Sequence, residues 1–132
     1  MSKSYPGINI QWPISLDIIS RKKTIETRTY KIPKKYINCD MLLIETPGKQ
    51  GKFTSRITGI IRFTECKEYK NKKEFYLDIN KHLVDKNSLW AWGNKPKWGW
   101  CVKVIKKFNK PIPYTGKKGI IYTKDIELCS LL

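Results

Sequence analysis

The sequence predicts a small α+β fold, a mostly antiparallel β-barrel with two or so flanking helices. Three observations lead there. Runs of alternating apolar and polar residues recur along the chain and read as five or six strands, only two stretches carry helix signals, and no internal repeat or low-complexity segment interrupts them. With 132 residues, 40% of them hydrophobic and 29% charged, the chain is expected to form a single domain over 1–132 with material for one core.

Gly7 to Gln11 (GINIQ) reads as a short strand, and Pro13 stands at the first turn of a helix running to about Ser20. Thr24 to Tyr30 is a strand whose period of two sets Thr24, Glu26, Arg28 and Tyr30 on one face and Ile25, Thr27 and Thr29 on the other. KIPKKYINCD is a basic connection with room for one helical turn, CDMLLIET a compact apolar strand, and PGKQG a turn. FTSRITGIIRFTE alternates over its whole length, with Phe53, Ser55, Ile57, Gly59, Ile61 and Phe63 on one side, and Gly59 marks an expected bulge or bend. Asn71 with Glu74 three positions on forms a capping-box pattern, and Phe75 with Ile79 an apolar stripe, predicting a helix over about 72 to 81 with His82 just beyond it. In KWGWCVKVIKKF the residues Trp98, Trp100, Val102 and Val104 share a strand face; PIPYTG is a turn and GIIYT a last short strand. The expected barrel interior is Phe53, Ile57, Ile61, Trp100, Val102 and Val104, with the helix from Pro13 lying across one opening.

Composition narrows the partners. The net charge is +16, and of the 27 basic residues only Arg21, Arg28, Arg56 and Arg62 are arginine. An A+T-rich coding bias accounts for lysine over arginine but not for the mere 11 acidic residues, so a polyanion, most simply nucleic acid, is the expected partner. A membrane surface is the lesser alternative, since no basic amphipathic helix supports it. No stretch approaches the roughly 20 apolar residues of a membrane span, and MSKSYPGINI lacks the apolar region of a signal peptide, so a cytoplasmic location is expected. Cys39, Cys66, Cys101 and Cys129 are dispersed, without a CxxC pair and with one histidine in the chain; neither a zinc site nor any other metal or cofactor is expected, and Cys129 near the C-terminus is expected to be exposed.

The most informative stretch is RKKTIETRTYKIP, where a strand face carries a carboxylate beside a guanidinium directly after two lysines. Arg28 offers a planar fork for phosphate or a base edge, Lys23 a mobile point charge, and Glu26 an acceptor that orients them or bonds an amino group. The plain alternative is that Glu26 and Arg28 hold only each other.

The run INIQWPISLDIISRKKTIETRTYKIP resembles the opening of the ASCH domain, a branch of the PUA-like superfamily. Pro13 stands at the family's distance before Lys23-Thr24-Ile25-Glu26-Thr27-Arg28, which matches its K-x-x-E-x-R motif. GIIRF resembles the barrel strand, FYLDINKH the helix and its histidine, and KWGWCVKVIKKFNKPIP the late strand ending in a proline pair. Two positions depart from the pattern: the usual glycine before the lysines is Arg21, and the usual glutamine before the proline is Trp12. The resemblance implies a PUA-like barrel that binds RNA or a nucleotide-like ligand in a cleft between barrel and helix. It places Lys23, Glu26 and Arg28 in that cleft, and Arg21, Lys22 and Trp12, together with Trp92 from the tryptophan-rich loop, are further candidates beside them.

The resemblance also implies an enzymatic alternative, a hydrolase acting on RNA or on a modified nucleoside such as an N4-acylcytidine, with Lys23 and Glu26 as its catalytic groups. The matching lysine is present. The threonine of the amidohydrolase branch is replaced by Glu26, and its later glutamate falls where this chain has Asp85 and Lys86. Among the other candidates, Trp98 and Trp100 read as barrel interior, while Trp90 or Trp92 reads as a stacking wall. His82 reads as a structural residue at a helix end, and the lysines 67, 70, 72 and 73, like Lys34 and Lys35, read as a solvated face or a phosphate track.

Overall fold

The computed structural model describes residues 4–115 and 122–128. Strand β1 (Ser4–Gln11) leads into helix α1 (Ile14–Ile19), capped by Pro13 and Ser20, and the short strand β2 (Ile25–Arg28) comes next. A single 3-10 turn, Lys34–Tyr36, fills the basic connection before β3 (Asp40–Thr46). The long strand β4 (Arg56–Tyr69) runs into α2 (Lys72–Leu77) and α3 (Ile79–His82), and β5 (Lys97–Pro113) and β6 (Tyr122–Glu127) complete the order. The expected last strand overlaps β6 only at Tyr122 and Thr123; its first residues and Cys129 lie outside the described residues.

The strands form one six-stranded sheet in the order β2-β5-β4-β3-β1-β6. Its ladders are antiparallel except β1 with β3, which is parallel, so the α+β, mostly antiparallel expectation is met. Closure into a barrel is not. Among the described residues no ladder joins β2 to β6, and the four residues of β2 leave little backbone with which to make one. The curled sheet instead wraps a core of Ile8, Ile10, Met41, Leu43, Ile61, Phe63 and Trp100, with Ile18 and Ile19 of α1 pressed into it. Trp100 is fully buried; its ring meets Phe63 and Tyr30 edge-on at centroid distances of 5.3 and 5.5 Å, and its indole N–H donates to the Tyr30 carbonyl at 3.2 Å. Burying a group of this size contributes strongly, and the satisfied N–H removes its polar penalty.

The expected interior is right in part. Ile57, Ile61 and Trp100 are buried, whereas Val102 and Val104 are only half-buried against the core, and Phe53 lies before β4, half-buried with its ring edge on Trp12 at 6.2 Å. Ile57 and Ile61 also serve different clusters: Ile57 packs with Leu42, Ile44, Ile60, Ile112 and Ile126 on the opposite face. Simple alternation fails because β4 has one residue more than β3 between Ile57 and Gly59, leaving Thr58 without a partner and reversing the face of the residues after it; β4 and β5 shift register at the same place and again between Ile60 and Ile61. The bulge expected at Gly59 is therefore present, with a second beside it. The expected helix over 72 to 81 is interrupted at Asp78, while Asn71 caps it as predicted by accepting from the Glu74 N–H at 2.8 Å.

Gly59 is required by contact as well as by the bulge, since a Cβ there would collide with the Lys106 carbonyl oxygen and sit 2.7 Å from Ile19 Cδ1. Gly59→Ala is expected to destabilise the fold by about 2 kcal/mol, typical of overpacking against backbone. At Gly93 the nearest atom is 3.9 Å away, so Gly93→Ala should unfold in urea close to wild type. Equal unfolding midpoints for the two variants would refute this account of the bulge.

Candidate functional site

A cleft of about 740 Å³ opens where β1 turns into α1. Residues of β1 (Asn9, Gln11) and β2 (Glu26, Thr27, Arg28) line it together, although β5, β4 and β3 stand between these strands in the sheet. Only the curl of the sheet brings them face to face. Ile14 and Asp17 of α1 form one wall, Thr46, Lys49 and Gln50 another, and the loop after α3 adds Leu83, Leu89 and Trp90.

Cross-strand pairing places Glu26 opposite Trp100 and Arg28 opposite Trp98, so both charged side chains stand on the tryptophan face of the sheet. Glu26 is 5% exposed. Its carboxylate accepts from Arg28 Nη2 at 3.1 Å and from the Thr27 N–H at 3.1 Å, and lies 3.9 Å from Lys23 Nζ. Arg28 Nη1 donates to the Tyr30 hydroxyl at 3.4 Å, and the guanidinium lies 5.6 Å from the Trp100 ring centroid. Burial opposes the Arg28 charge, but Glu26 and Tyr30 outweigh it and hold its pKa above the ordinary value.

Lys23 is buried as well, and its Nζ donates to the His82 carbonyl. One residue on, the Thr24 N–H donates to the Lys81 carbonyl at 2.9 Å, so the start of β2 satisfies two of the carbonyls left open at the end of α3. Burial pushes the Lys23 pKa below its ordinary 10.5, and the carboxylates of Glu26 and Asp17 only partly offset that. His82, the last residue of α3, is fully buried and stacks on Phe75 at 4.2 Å. Its Nδ1 accepts from the Val84 N–H at 3.0 Å, which assigns the proton to Nε2, 2.7 Å from the Phe75 carbonyl. The ring is thus a neutral strut that fixes the carbonyl holding Lys23.

Of the residues singled out in the sequence, Lys23, Glu26, Arg28 and Trp12 line the cleft. Arg21 and Lys22 are exposed and do not; Arg21 instead makes the turn with φ 68°, the left-handed conformation that explains why glycine suits this position. Trp92 is not in the cleft either: it packs on Phe75 at 5.7 Å, and the half-exposed Trp90, two residues before it, lines the cleft instead. Asp85 and Lys86 are exposed and outside the cleft, as is Thr24. Lys67 pairs with Asp78 at 2.6 Å, and lysines 70, 72 and 73 are solvated. Asn9, Gln11 and Asp17 are cleft residues that the reading of the sequence missed; the alternation of GINIQ, with Ile8 and Ile10 buried, was the available signal. Cationic Lys23, Arg28 and Lys49 face anionic Asp17 and Glu26, so the cleft is mixed in charge rather than uniformly basic. No group of three or more His, Cys, Asp or Glu is placed to hold a metal ion, and no helix is long and apolar enough to cross a membrane, among the described residues.

Burial holds the His82 pKa below its ordinary 6.5. The unfolded chain therefore takes up the proton first on acidification, and the stability contributed by neutral His82 is full above about 6.5 and lost as pH falls toward its folded pKa. Urea unfolding at pH 7 and pH 5.5 should show a drop in stability that is smaller in His82→Gln; an undiminished drop in that variant would contradict the assignment.

No protein-family profile matches the chain, and no curated protein does. Among solved structures, the crystal structure of ASCH from Zymomonas mobilis superposes with a TM-score of 0.69 at 12% identity, covering 91% of this chain and 86% of that one. Two single-residue variants of the same Zymomonas mobilis protein give TM-scores of 0.68 and 0.56 at 12% and 13% identity, covering 91% and 96% of this chain and 87% and 78% of theirs. At such low identity the agreement speaks for architecture alone, and the chain has an ASCH-like α+β fold.

Proposed function

We propose that this chain binds RNA or a nucleotide-like ligand, with a base in the cleft beside Arg28. The observation that carries the reading is the Lys23-Glu26-Arg28 cluster. Glu26 fixes the guanidinium from one side while 18% of the Arg28 side chain still faces open space in a cleft that the half-buried Trp12 and the half-exposed Trp90 also line. A preorganised fork flanked by aromatic surface suits a planar, hydrogen-bonding ligand. The chain's charge of +16, carried largely on lysines outside the cleft, supports a polyanionic partner that runs across the surface.

Single-stranded RNA contacting about four to six phosphates should show a slope of log affinity against log salt of roughly −3 to −4. Lys72→Ala should lower that slope by a fraction of a unit and weaken all sequences alike. Arg28→Lys keeps a cation for Glu26 but loses the fork, and is expected to cost about 1–3 kcal/mol of discrimination between RNA sequences with little change in slope. If it lowers the melting temperature by many degrees and leaves discrimination intact, Arg28 is scaffold and the reading fails.

A second reading, hydrolysis of a modified nucleoside or of RNA, is favoured by one observation. Lys23 is a buried amine with a lowered pKa, 3.9 Å from the Glu26 carboxylate. Against it, the same Nζ is engaged by the His82 carbonyl. Incubation with N4-acylcytidines is expected to release no cytidine. Turnover of about 1 per second or more, lost in Lys23→Met, would put catalysis first.

A further inference from the structure

Behind the cleft lies a smaller pocket of about 210 Å³, lined by Thr27, Arg28, Thr29, Tyr30, Trp90 and Lys97. It shares Thr27, Arg28 and Trp90 with the cleft, so Trp90 and the Arg28 side chain form the partition between the two spaces. Their chemistry differs. The cleft balances its cations with Asp17 and Glu26, whereas no carboxylate lines the smaller pocket among the described residues.

Lys97 is the decisive residue. It opens β5, one position before Trp98, the partner of Arg28 in the β2 ladder, and it is only 8% exposed. No carboxylate lies within 4.0 Å of its ammonium and no hydrogen bond engages it among the described residues. Burial and the nearby Lys95 both work against its charge and lower its pKa. The stem of Lys97 is buried while its Nζ keeps contact with solvent, so the ammonium stands at the pocket without a counter-charge, a place that an anionic ligand group would fill. The remaining lining residues, Thr27, Thr29, Tyr30 and Arg28, carry hydroxyl or guanidinium donors, of which the Tyr30 hydroxyl and Arg28 Nη1 meet each other at 3.4 Å.

We propose that this pocket is a phosphate site, in which Lys97 and Arg28 together hold a phosphate group of the ligand whose base occupies the adjoining cleft. A phosphate is acceptor-only and anionic, the complement of a pocket with two cations, three hydroxyls and no carboxylate. The placement also gives Arg28 a double role: Glu26 and the Tyr30 hydroxyl steady its Nη2 and Nη1, and the guanidinium hydrogens they leave over would serve the phosphate. This inference rests on the nucleotide-binding reading above, and it deepens it by making the ligand a phosphorylated nucleotide or an RNA phosphodiester rather than a free nucleoside.

The test measures affinities of the four ribonucleosides, their 5′-monophosphates and dinucleoside monophosphates at constant ionic strength, for the wild type, Lys97→Gln and Lys97→Met. Wild type is expected to prefer a phosphorylated ligand over its nucleoside by about tenfold or more, as one charged contact provides. A preference for the 5′-monophosphate identifies a terminal phosphate, and one for the dinucleotide identifies a phosphodiester. Either Lys97 variant should erase the preference while nucleoside affinity is unchanged. Because Lys97 lacks a counter-ion in the free protein, Lys97→Met should melt at or above the wild-type temperature, which separates loss of the site from loss of the fold. A preference that survives both variants, or equal affinity of wild type for nucleoside and phosphorylated ligand, overturns the phosphate site and leaves nucleoside binding standing. Inorganic phosphate serves as an independent probe. If no nucleoside, nucleotide or dinucleotide binds but phosphate raises the wild-type melting temperature and not that of Lys97→Gln, the nucleotide reading falls and an anion site at Lys97 stands; if phosphate also has no effect, both fall.

Discussion

A carboxylate that is 5% exposed needs cations and donors around it, and the neighbourhood of Glu26 is arranged to supply them. Arg28 comes from the same strand face two residues on, Thr27 offers its own N–H, and Lys23 arrives from the turn before β2. The consequences spread outward. Lys23 is fixed by the His82 carbonyl, which is fixed by the ring of His82 between Phe75 and the Val84 N–H. Thus the charge cluster of an edge strand is tied, through one ammonium, to the satellite core of Tyr69, Phe75 and Val84. Removing any single member leaves a buried charge or carbonyl without its partner, the most costly kind of deletion.

The open side of the sheet has the same origin. β2 carries two charged residues on the face turned toward the core, and such a strand cannot be pressed against a further apolar strand without burying them completely. It stays short, and the sheet curls without closing. The cleft lies at the end of the parallel β1 and β3 pair, where the chain turns through Trp12 and Pro13 into α1 and the edge strand β2 faces it across the curl. Strand edges left open in this way present hydrogen-bonding groups and space together, which is where ligands are accommodated.

How much of this was legible depended on whether the information was local. The period of two in TIETR placed Glu26 and Arg28 on one face, and pairing with β5 puts them there. Asn71 and Glu74 announced a cap that forms with the expected bond, and Gly59 announced a bulge. What the sequence concealed was the count of residues consumed by bulges. One extra residue in β4 at Thr58 sends Ile57 and Ile61 into different clusters, and no one-dimensional pattern records it. Trp90 and Trp92 are equally illegible: both are large, both sit among glycine and proline, and only the position of Phe75, brought in by another segment, decides which one is core. Closure of the barrel depends likewise on two strand edges distant in the chain.

The balance between binding and catalysis can be argued from proton positions. His82 is the one group in the chain whose ordinary pKa lies near neutrality, and both of its ring nitrogens are occupied, one accepting from Val84 and one facing the Phe75 carbonyl. Protonating Nδ1 would leave two donors opposed, so the ring is not free to act as a base. Lys23 has the lowered pKa of an amine poised to react, yet a lowered pKa arises wherever an ammonium is withdrawn from water, and Lys97 shows the same direction on the opposite wall of Arg28. On the reading proposed above, an anionic ligand would give Lys97 the counter-charge it lacks, whereas Lys23, which donates to the His82 carbonyl beside Glu26, is held in place rather than free to relay a proton.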